Sequence, residues 1–306
     1  MVSSNAGLTK GILKLKKERD ALILAHNYQS GEIQDIADFV GDSLELSLRA
    51  AGTDSRVIVF CGVNFMAETA SILCPDKTVL LPDINAGCPM ADMVTAERLI
   101  EKKRELPGVT VVCYINSSAD VKAESDVCCT SANAVKVIAG LDAGEILFVP
   151  DQYLGHYASL KAGKKTILWP GYCPTHLMIQ PEHLARLKQD YPQAKVAVHP
   201  ECKTEVIALA DEVLGTGGIC RYARQGNVGM MIVGTETGML HRLRKENPGK
   251  KFIPASEQAV CPRMKLITLE KVLWSLEDMA PVVSVPEKIR LKAKAAVDKM
   301  IEMGSR

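Results

Sequence analysis

The sequence has almost no net charge: 37 lysines and arginines stand against 36 aspartates and glutamates in 306 residues, a balance of +1. That absence excludes the global attraction to polyanions on which nucleic-acid and membrane-surface binders depend, so partners must be recognised locally. Long apolar runs are missing too, and nothing approaches the roughly 18 consecutive apolar residues of a spanning helix. The opening MVSSNAGLTKGILKLKKERD alternates apolar with basic positions and has no unbroken apolar core. It reads as an amphipathic helix and not as an export signal, which makes the chain cytoplasmic by expectation. No low-complexity linker interrupts the chain. The glycine-rich GTETGM at 234–239 has neither the Lys-Ser/Thr of a P-loop nor the spacing of a dinucleotide fingerprint.

Cysteine, by contrast, is plentiful, with ten residues. In a reducing compartment thiols are more often packing residues, metal ligands or nucleophiles than disulfides. Most of them are expected to pack as small hydrophobes. Spacing has to separate the others.

Short β-branched runs recur between longer helical patterns: ALILAH, RVIVFCG and KTVLLPD, then VTVVCYI, EILFVPD and KKTILWPG, then AKVAVHPE, GMMIVGT and KKFIPAS. Nearly continuous apolar strands between helices imply parallel sheets covered on both faces, an α/β fold. The nine strands fall into three sets of three. With His26, Tyr114 and His199 taken as the ends of the first strands, an aspartate follows twelve residues later each time (Asp38, Asp126, Asp211), and a hydroxyl five further on (Ser43, Ser131, Thr216). Each third strand runs into a Cys-Pro, at Cys88-Pro89, Cys173-Pro174 and Cys261-Pro262. Seven residues beyond each cysteine stand Thr95, Gln180 and Thr268, and nine beyond stand Glu97, Glu182 and Glu270. That is a helix start with an acid at its positive end. The chain reads as three tightly packed, pseudo-threefold-related three-layer αβα domains with short parallel sheets. Their expected bounds are 1–93 with the N-terminal helix, 94–178 and 179–266, with C-terminal helices over 267–306 packing on the repeats.

Homologous units packed around one axis bring Cys88, Cys173 and Cys261 together although they lie 85 and 88 residues apart. Three thiolates suit zinc with a fourth ligand, or an iron–sulfur cube with one iron lacking a protein ligand. A vacant position lets substrate reach the metal and favours Lewis-acid chemistry over electron transfer. The plainer reading is that duplication alone repeats a loop cysteine. Cys61, Cys74, Cys113, Cys128, Cys129, Cys202 and Cys220 fail the repeat test and are assigned to packing or loops. Ser43, Ser131 and Thr216 each stand where a loop enters a helix, a place for carboxylate or phosphate oxygens. Taken singly, each is an ordinary helix cap. Titratable or polar residues follow the first strand of every unit: His26, Asn27 and Tyr28, then Tyr114 and Asn116, then His199 and Glu201. They are suited to exchanging protons or polarising a carbonyl. His156, His183 and His241 lie in helical patterns and read as surface or packing residues, whereas His176, close behind Cys173, keeps an open role.

Through these residues the chain resembles the quinolinate synthase family over nearly its whole length. The motifs are LAHNYQ (24–29), DIADFVGDSLELS (35–47), GVNFMAE (62–68), LPDINAGCPMAD (81–92), YINSSADVKAESD (114–126), CTSANAV (129–135), PDQYLG (150–155), HPEC (199–202) and GTETGM. The resemblance implies a [4Fe-4S] cluster held by Cys88, Cys173 and Cys261, at the centre of three pseudo-symmetric α/β domains. It implies condensation of iminoaspartate with dihydroxyacetone phosphate to quinolinate in de novo NAD synthesis, with loss of phosphate and two waters. Ser43, Ser131, Thr216 and His199 would hold substrate oxygens, and His26, Tyr28, Tyr114, Asn116 and Glu201 would handle isomerisation, proton removal and dehydration. L-Aspartate oxidase or aspartate dehydrogenase is implied as a functional partner; neither nucleic acid nor membrane is. Two departures stand out. Similar proteins often carry Gly-Ser-Thr where this chain has Leu214-Gly215-Thr216, and some carry an extra Cys-x-x-Cys around the last ligand, where AVCPRMK has Cys261 alone. Two other functions compete: a non-catalytic metal or cluster sensor, and a hydro-lyase for a different hydroxy acid.

Overall fold

A computed structural model describes residues 5–305, so the first four residues of the expected N-terminal helix lie outside the described range. That helix runs Asn5–Glu18 and buries Leu8 and Ile12. All nine expected strands form, and three more appear beside them. The first sheet comprises β1 (Ala21–His26), β2 (Phe39–Gly41), β3 (Val57–Cys61) and β4 (Thr78–Leu80). The second has β5 (Thr110–Tyr114), β6 (Val127–Cys129), β7 (Ile146–Val149) and β8 (Ile167–Leu168), and the third β9 (Lys195–Val198), β10 (Glu212–Val213), β11 (Met230–Gly234) and β12 (Lys251–Pro254). Each sheet is four-stranded, with the orders β2-β1-β3-β4, β6-β5-β7-β8 and β10-β9-β11-β12. All pairings within them are parallel. Helices flank each sheet, and β1, β3 and β7 are buried at every position, as two covered faces require.

The additional strands β2, β6 and β10 have two or three residues each, too few for a periodic signal. What anchors them is the repeated aspartate. The Asp38 carboxylate accepts the Ile23 N–H at 2.8 Å while the Asp38 N–H donates to the Ile23 carbonyl at 2.9 Å. Asp126 does the same with Val111 (2.8 and 3.1 Å), and Asp211 with Val196 (2.7 and 2.9 Å). Each aspartate thus closes both backbone groups of one residue in the first strand and starts the short strand in register beside it.

The repeat continues past the cysteines. Single 3-10 turns follow them at Ala91–Met93, His176–Met178 and Met264–Leu266. Thr95 and Thr268 cap the next helices by accepting the N–H groups of Arg98 and Lys271, and Gln180 precedes a helix that has Pro181 in its first turn. Glu97, Glu182 and Glu270 sit in those first turns.

The chain divides into two compact units: the segment up to Cys88 with Cys261–Pro286, and Pro89–Val260 with the segment from Glu287 onward. In the former, the helix Leu269–Asp278 packs on Asn5–Glu18, where a Cβ on Gly11 would lie 3.1 Å from a Leu273 methyl. In the latter, the helix Glu287–Ser305 packs on Ala119–Ala123 and Ala134–Gly140. No helix among the described residues is long and apolar enough to cross a membrane.

Replacing Asp126 or Asp211 by alanine leaves a strand N–H without its acceptor. Each change is expected to lower stability by about 1–3 kcal/mol, read as a shift in urea midpoint.

Candidate active site

In a parallel sheet of order 2-1-3-4 the chain leaves neighbouring strands in opposite directions. The crevice for a ligand therefore opens beyond the carboxyl ends of the first and third strands. In this protein those ends carry His26, Asn27 and Tyr28 after β1, Tyr114 to Asn116 opposite Asp151, and His199 to Glu201 opposite Thr235. The polar residues singled out by the repeat thus occupy the loops where the topology requires a site.

In the first unit His26 is buried and its Nδ1 accepts the Tyr28 N–H at 3.2 Å. The Tyr28 ring meets the imidazole edge-on with centroids 4.5 Å apart. The Tyr28 carbonyl accepts from Lys265, four residues past Cys261. Arg263 donates to the Asn85 carbonyl at 3.3 Å, joining the loop of Cys261 to the loop of Cys88. Ser43 is the first residue of the helix Ser43–Ala51. The cap is Asp42, locked in a reciprocal capping box with Glu45. The ordinary capping role expected of Ser43 therefore belongs to its neighbour.

The second unit holds a continuous polar network. Tyr114 donates its hydroxyl to Glu201 Oε1 at 2.6 Å, and His176 Nδ1 lies 2.8 Å from Glu201 Oε2. His176 Nδ1 is also 3.1 Å from Cys173 Sγ, and its Nε2 is 2.9 Å from Thr235 Oγ1. The His176 ring stacks on His199, with centroids 4.7 Å apart. His199 Nδ1 accepts the Glu201 N–H at 3.3 Å, so in the neutral ring Nε2 carries the proton and donates to Ser131 Oγ at 3.1 Å. Burial pushes His199 down to about 3 and keeps it neutral; Glu201 opposes that shift and His176 adds to it. For Glu201 burial works against the charge. The neighbouring His176 and His199, with the hydrogen bonds from His176 and Tyr114, nevertheless hold its carboxyl well below the usual range.

In the loops after β5 and β7, two of the buried oxygens without a hydrogen-bond partner are Asn116 Oδ1 and Asp151 Oδ2. Asp151 uses its other oxygen to cap the helix Gln152–Ala162, accepting from Tyr153 and Leu154. An orphaned buried acceptor at the mouth of a crevice is a place for a ligand's donor. Thr216 is buried at the start of its helix. Beside it, a Cβ on Gly215 would lie 2.8 Å from Ser131 Oγ, so a serine at 215 would collide with the hydroxyl that His199 holds. His176, left open by sequence, proves to be the hub between Cys173, Glu201 and Thr235. The cue was its place three residues behind a repeat-matched thiol.

The cysteines divide by exposure. Cys88, Cys173 and Cys261 are partly exposed, and the other seven are buried. Burial pushes Cys61 up to about 12 and raises Cys202 as well, which keeps both as neutral packing groups. Three accessible thiols in matching loops are the donor chemistry that a three-thiolate metal or cluster needs.

A family model described as Quinolinate synthetase A protein matches residues 10–302. The chain is 63% identical to the quinolinate synthase of Dehalococcoides mccartyi (strain CBDB1) over 292 residues, covering 95% of this chain and 97% of that one. It is 57% identical to that of Geotalea uraniireducens over 290 residues, 95% of each. The corresponding figure for Methanosarcina barkeri is 53% over 296 residues, 97% of each.

Two outcomes follow from this geometry. In metal-free protein a brief maleimide pulse read by peptide mass spectrometry should modify Cys88, Cys173 and Cys261 and spare the seven buried thiols. Unfolded protein takes up the His199 proton near 6.5, whereas folded protein does so only near 3. His199 therefore stabilises the fold above 6.5, and that contribution falls as pH drops through this window. Acidification to about pH 5 should cost on the order of 2 kcal/mol through this group, and His199→Asn should flatten that slope in urea titrations.

Proposed function

Because the chain belongs to the quinolinate synthetase A family, we propose that it forms quinolinate for NAD synthesis from iminoaspartate and dihydroxyacetone phosphate, releasing phosphate and two waters. The observation that carries this reading furthest is the exposure pattern. Of ten cysteines, the partly exposed ones are the three that the internal repeat selects. A [4Fe-4S] cluster on Cys88, Cys173 and Cys261 supplies, when bound, an iron without a protein ligand as Lewis acid toward a hydroxyl or carbonyl oxygen.

The chain's own residues do the rest. Glu201, ionised and buried, orients the Tyr114 hydroxyl hydrogen-bonded to it, and the pair serves proton removal and dehydration, the phenol stabilising a developing oxyanion. Ser131, held by the neutral His199, together with Thr216 and Ser43 at helix starts, binds carboxylate or phosphate oxygens. The orphaned Asn116 Oδ1 accepts an N–H or O–H of the substrate. His26 and Tyr28 serve the isomerisation that interchanges carbonyl and hydroxyl before ring closure.

Purified without oxygen and reconstituted, the protein is expected to convert iminoaspartate and dihydroxyacetone phosphate to quinolinate, followed by chromatography. Correct cluster absorption without product would refute the assignment. Cys173→Ala should lose cluster and product together, while Cys74→Ala retains both. Tyr114→Phe should keep the cluster spectrum and lower kcat by about 10²–10⁴-fold.

A further inference from the structure

The network around Glu201 has a second property that does not depend on three cysteines meeting. Cys173, His176 and Glu201 each offer one ligand atom, and these atoms all lie within 4.8 Å of one another. His176 Nδ1 stands between the other two, 3.1 Å from Cys173 Sγ and 2.8 Å from Glu201 Oε2. A tetrahedral zinc with ordinary bond lengths has ligand–ligand edges of about 3.3–3.6 Å. Reaching those edges moves His176 Nδ1 away from Cys173 Sγ and from Glu201 Oε2 by about half an ångström each and sets the Cys173–Glu201 pair, which lies within 4.8 Å, on an edge of the same length.

Charge and surroundings favour the same ion. A thiolate and a carboxylate neutralise a dication, and a neutral imidazole adds nothing, so the buried ensemble carries no net charge. Thiolate and imidazole donors select zinc over magnesium or calcium. The far side of His176 is already oriented: Nε2 lies 2.9 Å from Thr235 Oγ1, the outer hydrogen bond that fixes a ligating histidine. Glu201 Oε1 is similarly held by the Tyr114 hydroxyl at 2.6 Å.

We infer that Cys173, His176 and Glu201 form a single-ion zinc site in the chain that lacks its cluster, sharing only Cys173 with the three-thiol set. Binding replaces the Cys173 thiol proton by the metal and leaves the fourth coordination position to water. The site lies wholly within Pro89–Val260. A consequence, which rests on the cluster reading above, is that zinc there withholds Cys173 and blocks cluster assembly.

The test is a zinc titration of the full-length, metal-free chain against a chromophoric chelator. One equivalent should bind, and the double variant C88S/C261S should bind it as tightly as wild type. H176A should weaken binding by at least about 100-fold and T235V by about 10-fold, the scale of ligand and outer-contact losses. E201Q, which keeps the side-chain volume, should weaken binding by at least about 10-fold and covers the case in which H176A does not fold. Loss of zinc in C88S/C261S, or unchanged affinity in both H176A and E201Q, would overturn the site. The zinc-loaded chain should then assemble no cluster from iron and sulfide under argon until a chelator is added. Assembly at the zinc-free rate would overturn the blockade. If even the zinc-free chain builds no cluster, the cluster reading fails while the zinc result stands.

Discussion

A buried carboxylate organises the second unit. Glu201 is buried, and a buried charge persists only where its oxygens are fully engaged. Tyr114 holds one oxygen and His176 the other. Both residues belong to the second sheet's loops, Tyr114 at the end of β5 and His176 in the turn that follows Cys173 after β8, whereas Glu201 follows β9 of the third sheet. Satisfying one anion thus fixes the side chains of a phenol, an imidazole and, through that imidazole, a thiol. Beside it, burial keeps His199 the neutral donor that positions Ser131.

The scaffold that makes this possible is a threefold repetition of one economical device. An aspartate twelve residues past the reference position closes both backbone groups of a single strand residue and starts a short strand beside it. The short strand creates the 2-1-3-4 order, and that order creates the crevice at the carboxyl ends of the first and third strands. Structural and chemical residues are therefore interleaved in one segment of each repeat. The aspartate builds the crevice, and the residues before it fill the crevice with titratable groups.

Much of this was legible in sequence. Apolar β-branched runs announced nine strands because buried parallel strands are continuous in hydrophobicity. Offsets announced three matched cysteines, three matched hydroxyls and the helix starts at Thr95, Gln180 and Thr268, because duplication preserves spacing. The short strands were not legible, since two or three residues such as Glu212–Val213 carry no period. The aspartates showed in the repeat, but their purpose did not, because their partners Ile23, Val111 and Val196 lie fifteen residues away.

Sequence by itself singled out the candidate residues: repetition marks the thiols, hydroxyls and strand-end groups without any knowledge of where they sit. Tertiary structure alone decided which groups engage each other and in what state of charge. That Asp42 and not Ser43 caps its helix, that Gly215 leaves room for Ser131, and that His176 joins Cys173 to Glu201 are facts of distance. That His199 stays neutral and Glu201 charged is a fact of burial and neighbours. Hydrogen bonds and desolvation act over a few ångströms of space, and chain spacing does not encode them.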